Sequence, residues 1–203
     1  MVPLWLDSRP LVLASKSEVR AKLLAAAGLR LEIHPAAIDE RAVEAEAGAV
    51  DAVAVARLLA RAKAEDVDAA LPGRLVLGAD QTLALGETRF SKPADRAAAR
   101  AQLQMLRGKT HCLHSALALA RDGEVLFEHG ATARLTMRAF SNDFLEDYLD
   151  VAGTAVLASV GAYRLEGAGI HLFERIEGDY FTILGLPLLP LLDFLRRGGF
   201  VKG

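Results

Sequence analysis

Residues 75–81 read Leu-Val-Leu-Gly-Ala-Asp-Gln, and Ser91-Lys92-Pro93 follow on the return. An apolar run of this length is a buried strand, and here it stops abruptly at a carboxylate. A strand feeding Gly-Ala-Asp is expected to deliver one ionised side chain, Asp80, to a strand end. Ligands of α/β domains sit at such ends. An acid followed by a lysine there points to anionic chemistry rather than to packing.

The rest of the chain is read around that strand. Leu11 to Ala14 forms a buried strand, and Ser17 caps a helix from Glu18 to Ala27 that Gly28 ends. Leu23, Leu24 and Ala27 make its apolar face. Leu31 to His34 alternates like a strand, Asp39-Glu40 reads as loop, and Val50 to Ala69 as a long helix. After the central strand, Thr82 to Leu85 reads as a second strand and Gly86-Glu87-Thr88 as a turn. Asp95 caps a helix to Leu106, closed by Gly108. Thr110 to Ala120 and Glu124 to Phe140 are long strands joined by an Asp122-Gly123 hairpin turn. Ser141 caps a helix to about Leu149. Gly161 to Tyr163 and Ile170 to Ile176 read as short strands, and Pro187 opens a last helix with Leu188, Leu191, Leu192 and Leu195 inward. The order, βαβα, then a hairpin, then mixed elements, implies an α/β fold with a mixed sheet.

Composition narrows the classes. The chain has 203 residues, 52% of them hydrophobic, and a net charge of −2, so there is neither a basic field for nucleic acid nor an acidic tail. One cysteine excludes an intramolecular disulfide and fits a reducing cytosol. The first residues, Met1 to Asp7, lack a basic start and an export core, and no apolar stretch approaches the ~20 residues of a membrane span. The expectation is a cytoplasmic protein that binds neither membrane nor nucleic acid.

Several familiar motifs fail. Gly108-Lys109-Thr110 ends like a phosphate-binding loop, but Leu103 stands where its first glycine belongs. Gly167-Ala168-Gly169 begins a dinucleotide fingerprint, but Leu172 occupies the third glycine position. His111 and His114 alternate to opposite faces of a strand, which reads as ordinary strand surface rather than a metal site. No Gly-x-Ser-x-Gly elbow is present.

Four segments remain: Leu13 to Arg20, Ala62-Lys63-Ala64, the Gly-Ala-Asp-Gln island with Lys92-Pro93, and Phe173 to Gly178 running on to Gly185-Leu186-Pro187-Leu188. In this order and at these separations the chain resembles the Maf family of nucleoside triphosphate pyrophosphatases, over about residues 10 to 197. The resemblance implies one domain over residues 1–203. It would be an elongated, inosine-triphosphatase-like α/β fold with a mixed sheet flanked by helices, and two discontinuous lobes with a deep nucleotide-binding cleft. It also implies a homodimer and hydrolysis of a nucleoside triphosphate to monophosphate and pyrophosphate with Mg²⁺ or Mn²⁺. By position Asp80 matches the family's proton acceptor. Lys63 and Lys92 join it as catalytic candidates, and Ser15, Ser17, Arg20 and Glu40 match phosphate-, metal- or substrate-contacting positions. Asp80 and Glu40 are the metal candidates. Two departures mark the first loop: Lys16 replaces a small residue and Glu18 a proline.

The chemistry of these residue types agrees. A triphosphate repels hydroxide from its α-phosphate, so hydrolysis needs cations around the phosphates and a base for water. Lys63, Lys92 and Arg20 supply positive charge, and a helix start after Ser15 and Ser17 attracts phosphate. Each also has a plainer reading. Lys63 and Arg20 are solvated helix residues, Ser17 only a cap, Glu40 and Asp39 loop charges, and Glu174 and Arg175 members of structural pairs.

Within the family, three positions separate two branches. One acts on dTTP and UTP with Arg, Thr and Gln; the other prefers 7-methyl-GTP with a non-basic residue, Gln and Glu. Here they are Val19, Gln81 and Glu166. An ionised carboxylate only accepts, and guanine offers two adjacent donors on its pairing edge, whereas uracil and thymine place one donor between two acceptors. Methylation of N7 adds positive charge that a carboxylate favours. The plainer reading makes Glu166 a rim residue of a glycine-rich loop. The run Gly108 to His111 resembles the pyrimidine branch instead. The alternatives are therefore a dTTP/UTP pyrophosphatase, or a non-catalytic nucleotide-binding protein that affects division.

Overall fold

Side-chain parity along the central strands sets the architecture. The computed structural model describes residues 4–48 and 51–203. The strands among them are β1 (Leu11–Leu13), β2 (Leu31–Ile33), β3 (Val76–Leu85), β4 (Thr88–Phe90), β5 (Thr110–Arg121), β6 (Glu124–Met137) and β7 (Phe173–Glu177). The helices are α1 (Glu18–Ala26), α2 (Glu40–Ala47), α3 (Ala52–Ala70), α4 (Arg96–Leu106), α5 (Asn142–Ala152), α6 (Tyr180–Ile183) and α7 (Leu188–Arg197). The sheet runs β2-β1-β3-β5-β6-β7, with β4 beside β3. β1 is parallel to β2 and β3, whereas β4 is antiparallel to β3 and β7 to β6, so the sheet is mixed.

The chain divides into two compact units. One comprises Met1–Gln81, Ser115–Ala131 and Tyr180–Gly203; the other comprises Thr82–His114 and Thr132–Asp179. In the first unit, odd-numbered strand residues (Leu11, Leu13, Leu77, Ala79, Leu117 and Leu119) form one core with α1 and α7. Even-numbered ones face α3: Val12 and Val76 meet Val67, Ala116 meets Ala56 and Ala60, and Ala118 and Ala120 meet Ala64. Successive strand residues point to opposite faces, so both faces are covered and the strands read as continuous apolar runs. The alanines on both sides of the α3 contact bring that helix close to the sheet.

Asp122 and Gly123 both have positive φ (55° and 82°), as a two-residue hairpin turn between twisted strands requires. The buried Asp68, near the end of α3, accepts the Asp122 and Gly123 N–H groups at 2.9 and 2.7 Å. The turn is thus tied to the helix. α7 follows Pro187 and buries Leu188, Leu191 and Leu195, with Leu192 partly covered. Pro190 lies in its first turn, where no intrahelical N–H bond is lost.

Several expectations are corrected. β3 runs unbroken through Thr82 to Leu85, so Asp80 lies in mid-strand and not at a strand end. Asp39 caps α2 by accepting from Arg41 N and Ala42 N, so Glu40 begins a helix rather than sitting on a loop. Gly161 to Tyr163 is not a strand: Val160–Ala162 is a 3-10 turn with left-handed Gly161 and Ala162, and only Tyr163 after it is extended. Ile170 to Leu172 is likewise 3-10 helical, and β7 starts at Phe173. β6 ends at Met137, three residues short of Phe140. The long helix begins at Ala52 behind its Asp51 cap, and Val50 lies outside the described residues. No helix among the described residues is long and apolar enough to cross a membrane.

His111 is not strand surface. It is 1% exposed in the second unit, where its Nε2 shares a hydrogen bond with the Tyr163 hydroxyl at 2.7 Å and its ring lies against Phe173. Its Nδ1 is buried without a partner. Burial pulls the imidazole down from 6.5 to about 4. The unfolded chain therefore takes up this proton first. The contribution is complete above pH 6.5 and is lost as pH falls toward 4. The loss attributable to His111 should reach about 3 kcal/mol. Urea unfolding at pH 7.5, 5.5 and 4.5 checks this against His111→Gln, whose acid limb should be shallower. Parallel losses in the two proteins would clear His111 of the effect.

Candidate active site

Gly78 decides where Asp80 sits. A Cβ on Gly78 would lie 2.1 Å from the Ala60 carbonyl oxygen and 2.6 Å from the Ala64 nitrogen, both on α3. Only glycine permits so close a crossing of helix and strand. Asp80, two residues on, projects from the same face of β3. Lys63 stands between Ala60 and Ala64 in sequence and reaches it: its Nζ donates to Asp80 Oδ1 at 2.6 Å. The same ammonium meets Glu40 Oε1, on α2, at 2.6 Å. Lys63 and Asp80 are largely buried, their side chains 12% and 13% exposed, whereas Glu40 is half exposed.

Arg20 is buried rather than solvated. Its Nη1 donates to the Ala79 carbonyl at 2.7 Å and to Ser15 Oγ at 3.1 Å, and its Nε donates to the Gly185 carbonyl at 2.8 Å. One guanidinium thus ties together the loop before α1, the peptide ahead of Asp80 and the turn before Pro187. Ser15 Oγ also accepts the Ser17 amide, and Ser17 Oγ accepts the Arg20 amide, which makes Ser17 the α1 cap. Burial pushes the Asp80 carboxyl above the usual aspartate value; Lys63 and then Arg20 pull it back, and Glu40 adds to the rise. Burial lowers the Arg20 guanidinium from its ordinary value, opposed by Asp80 and Glu40. Two cations and two carboxylates leave the cluster close to neutral.

Gln81 lies on the opposite face of β3. Its Nε2 is within hydrogen-bond distance of Ser115 Oγ (2.9 Å) and of the Thr182 and Ile183 carbonyls (3.1 and 3.0 Å). Three acceptors surround two hydrogens, so the amide nitrogen is committed to β5 and α6, and Oε1 is the group it has left. Val19 is half-buried on α1. Lys92 and Glu166 belong to the other unit. Lys92 is exposed on the loop after β4, between the buried Pro93 and Ser91, whose carbonyl accepts from Gln102 at 2.7 Å. Arg164 grips Glu166: its Nε and Nη2 both meet Oε1 at 2.8 Å. Arg175 pairs with Glu177, a structural pair of the kind the plainer reading expects.

The structure therefore brings together Ser15, Ser17, Arg20, Lys63, Asp80 and Glu40 within one unit. The sequence reading quoted Gly78 and Gly185 within its motifs without giving either a role, and it missed Ser115 and Arg164. Gly78 carried a signal of its role, as an isolated glycine inside a strand pattern, which marks a close backbone approach.

The metal expectation meets a specific donor set. Glu40 and Asp80 converge on one ammonium, so both carboxylates already face a single point of positive charge. Among the described residues no group of three or more His, Cys, Asp or Glu side chains forms a metal cage. A pair of carboxylates suits Mg²⁺ or Mn²⁺, which take one or two carboxylates and complete their shell with water and substrate phosphates. The residues fit the group.

A model of the Maf-like protein family matches residues 10–198. The nucleoside triphosphate pyrophosphatase of Nitrobacter winogradskyi is 58% identical over 193 residues, covering 95% of this chain and 96% of that protein. The 7-methyl-GTP pyrophosphatase of Rhizobium etli is 55% identical over 195 residues, covering 95% and 98%. A solved HAM1 protein from Coxiella burnetii superimposes with a TM-score of 0.42 at 17% identity, over 64% of this chain and 73% of that one.

Gly78→Ala tests the crossing. The new methyl meets backbone rather than a mobile side chain, so α3 must move, at a cost of about 3 kcal/mol or more. Urea unfolding should show that loss. A crystal structure should show Lys63 drawn away from Asp80. A variant as stable as the parent would mean that α3 shifts freely and does not fix the site.

Proposed function

Because the chain belongs to the Maf family, we propose that it is a nucleoside triphosphate pyrophosphatase whose reacting centre is the Glu40–Lys63–Asp80 cluster. The observation that carries this reading is Lys63 held between two carboxylates, one of them buried on a strand. In the proposed reaction a water oxygen bonds to the α-phosphorus as the bond to the β-phosphate oxygen breaks. Pyrophosphate leaves with its electron pair. Asp80 takes the water's proton, and its raised affinity for a proton suits that task. Lys63 orients Asp80 and presents positive charge to the phosphates, and Lys92 is assigned the same electrostatic role. Arg20 holds the Asp80 strand and the loop of Ser15 and Ser17 in place. With Ser17 engaged by the Arg20 amide, the amides at the very start of α1 remain donors for a phosphate. Glu40 and Asp80 would hold a divalent cation, which when bound neutralises phosphate charge and lowers the pKa of water.

For the base we propose 7-methyl-GTP. Glu166 presents an acceptor-only group, and the free group of Gln81 is its carbonyl, also an acceptor. An acceptor suits the donor edge of guanine and opposes the carbonyls of uracil and thymine. The name of the Rhizobium etli relative points the same way. The pyrimidine-like run finds no such support, because the Lys109 N–H closes α4 on the Leu106 carbonyl, the Gly108 N–H donates to the Arg138 carbonyl and His111 is buried. The proposal extends to a homodimer acting in the cytoplasm.

Pyrophosphate release with Mg²⁺ or Mn²⁺ across 7-methyl-GTP, GTP, UTP, dTTP, CTP and ATP tests both parts. 7-Methyl-GTP should lead, and Asp80→Asn should lose on the order of a thousandfold in kcat while remaining folded. A folded Asp80→Asn protein with parental turnover would remove Asp80 as the base. A preference for UTP or dTTP would keep the chemistry and overturn the base assignment. Nucleotide binding without any turnover would favour the binding-protein reading.

A further inference from the structure

The second unit holds a cavity of about 370 Å³, a volume suited to a small planar ligand. Val151, Ala152, Ala155 and Val156 give it an apolar lining, and Arg164 and Glu166 add its charged groups. Val151 is 75% exposed although it is apolar, so a flat ligand seated there would cover surface that water now wets.

The loop bearing the two charges is braced. Gly161 and Ala162 both have positive φ (81° and 59°), and for alanine that conformation is strained. Tyr148, another residue of the cavity lining, donates its hydroxyl to the Ala162 carbonyl at 3.1 Å. Arg164 O accepts the Gly167 amide at 3.2 Å, and a Cβ on Gly169 would come within 2.4 Å of the same oxygen. The turn from Arg164 to Gly169 thus closes tightly on itself.

Within that turn the ion pair has an unusual form. A guanidinium fork ordinarily meets both carboxylate oxygens. Here Arg164 Nε and Nη2 both converge on Glu166 Oε1, at 2.8 Å each. Oε2 is the oxygen that Arg164 leaves for other donors. The pair also cancels: a ligand in the cavity meets an oriented acceptor with little net negative charge behind it.

We infer that Arg164 is a positioning residue for base recognition: it fixes Glu166 by one oxygen, presents the other to the donor edge of a purine, and limits how strongly the pocket favours a positively charged base. This rests on the reading of Glu166 as the base-recognising residue. Discrimination between 7-methyl-GTP and GTP then depends on Arg164 as well as on Glu166. The carboxylate supplies the acceptor that both guanines need, and the guanidinium sets the advantage of the methylated, cationic one.

The test is a double-mutant cycle on the purified full-length enzyme, with Arg164→Ala, Glu166→Gln and the double variant, and Arg164→Lys for rescue. kcat and KM are measured for 7-methyl-GTP, GTP and UTP. Arg164→Ala should raise KM for GTP about fivefold and leave kcat within about twofold, while the 7-methyl-GTP to GTP ratio of kcat/KM rises about fivefold, the effect of one unit charge in a half-exposed site. Arg164→Lys keeps the charge and should return that ratio toward the parental value. In the Glu166→Gln background Arg164→Ala should raise KM for GTP no further, because no carboxylate is left to position, while the 7-methyl-GTP to GTP ratio should still rise as the uncompensated guanidinium is removed. Equal losses on all three nucleotides, or the same loss with Glu166 already replaced, would make Arg164 merely structural and overturn the inference. If Glu166→Gln shifts the ratio and Arg164→Ala does not, this inference falls while the base reading stands. If Glu166→Gln leaves the ratio unmoved, both fall.

Discussion

The close approach of α3 to β3 at Gly78 is the constraint on which the rest of the first unit depends. A helix at ordinary distance from a sheet leaves room for leucines between them. Here the contact is made by Ala56, Ala60 and Ala64 on one side and Ala116, Ala118 and Ala120 on the other, with glycine at the point of nearest approach. Small residues give up apolar area per side chain and gain contact between backbones. The consequence for function is reach. Lys63 sits on the flank of a helix so near the strand that its ammonium meets a carboxylate in mid-strand at 2.6 Å. An aspartate there, without that cation, would be a buried charge with little compensation, and such a group is neutralised by protonation instead.

Burial and pairing are balanced rather than maximised in this cluster. Desolvation outweighs Lys63 and Arg20 at Asp80, so its carboxyl binds a proton more readily than an exposed aspartate. A fully compensated carboxylate would be a poorer base. Arg20 adds charge without offering its guanidinium to solvent, because Ala79, Ser15 and Gly185 occupy its donors. The group that the resemblance places at a phosphate-, metal- or substrate-contacting position also clamps the geometry of its neighbours.

What the sequence made legible follows from which interactions are local. Caps at Ser17, Asp95 and Ser141 and the turn at Asp122-Gly123 were readable, because each depends on residues within a few positions. The island singled out Asp80, which the structure shows as a buried carboxylate paired with Lys63. Its location was not readable. Gly-Ala-Asp-Gln looks like a strand ending because charge interrupts an apolar run, yet β3 continues to Leu85, the charge being met by a lysine 17 residues earlier. His111 misled for the same reason: its partner, Tyr163, is 52 residues away. The parity that separates Asp80 from Gln81 was present in the sequence, but it gains meaning only once α3 is known to cover one face and α6 the other. Short turns such as Gly161 to Tyr163 imitate strands, because left-handed backbone at an alanine leaves no compositional trace.

The two charged groups, one in each unit, share a design. Lys63 occupies one oxygen each of Glu40 and Asp80, and Arg164 occupies one oxygen of Glu166. A carboxylate held by a resident cation keeps its orientation before any ligand arrives, which removes an ordering cost from binding. The cation also limits how much the carboxylate gains from an incoming positive charge. In the proposed reaction that limit is small at the buried cluster, because a divalent ion and a polyphosphate would bring charges of both signs. At Glu166, where a base brings at most one positive charge, the same limit weighs on the choice between ligands. Under the proposed function one arrangement would therefore serve the reaction at the cluster and selectivity at Glu166, and the difference lies in how much charge each carboxylate would meet.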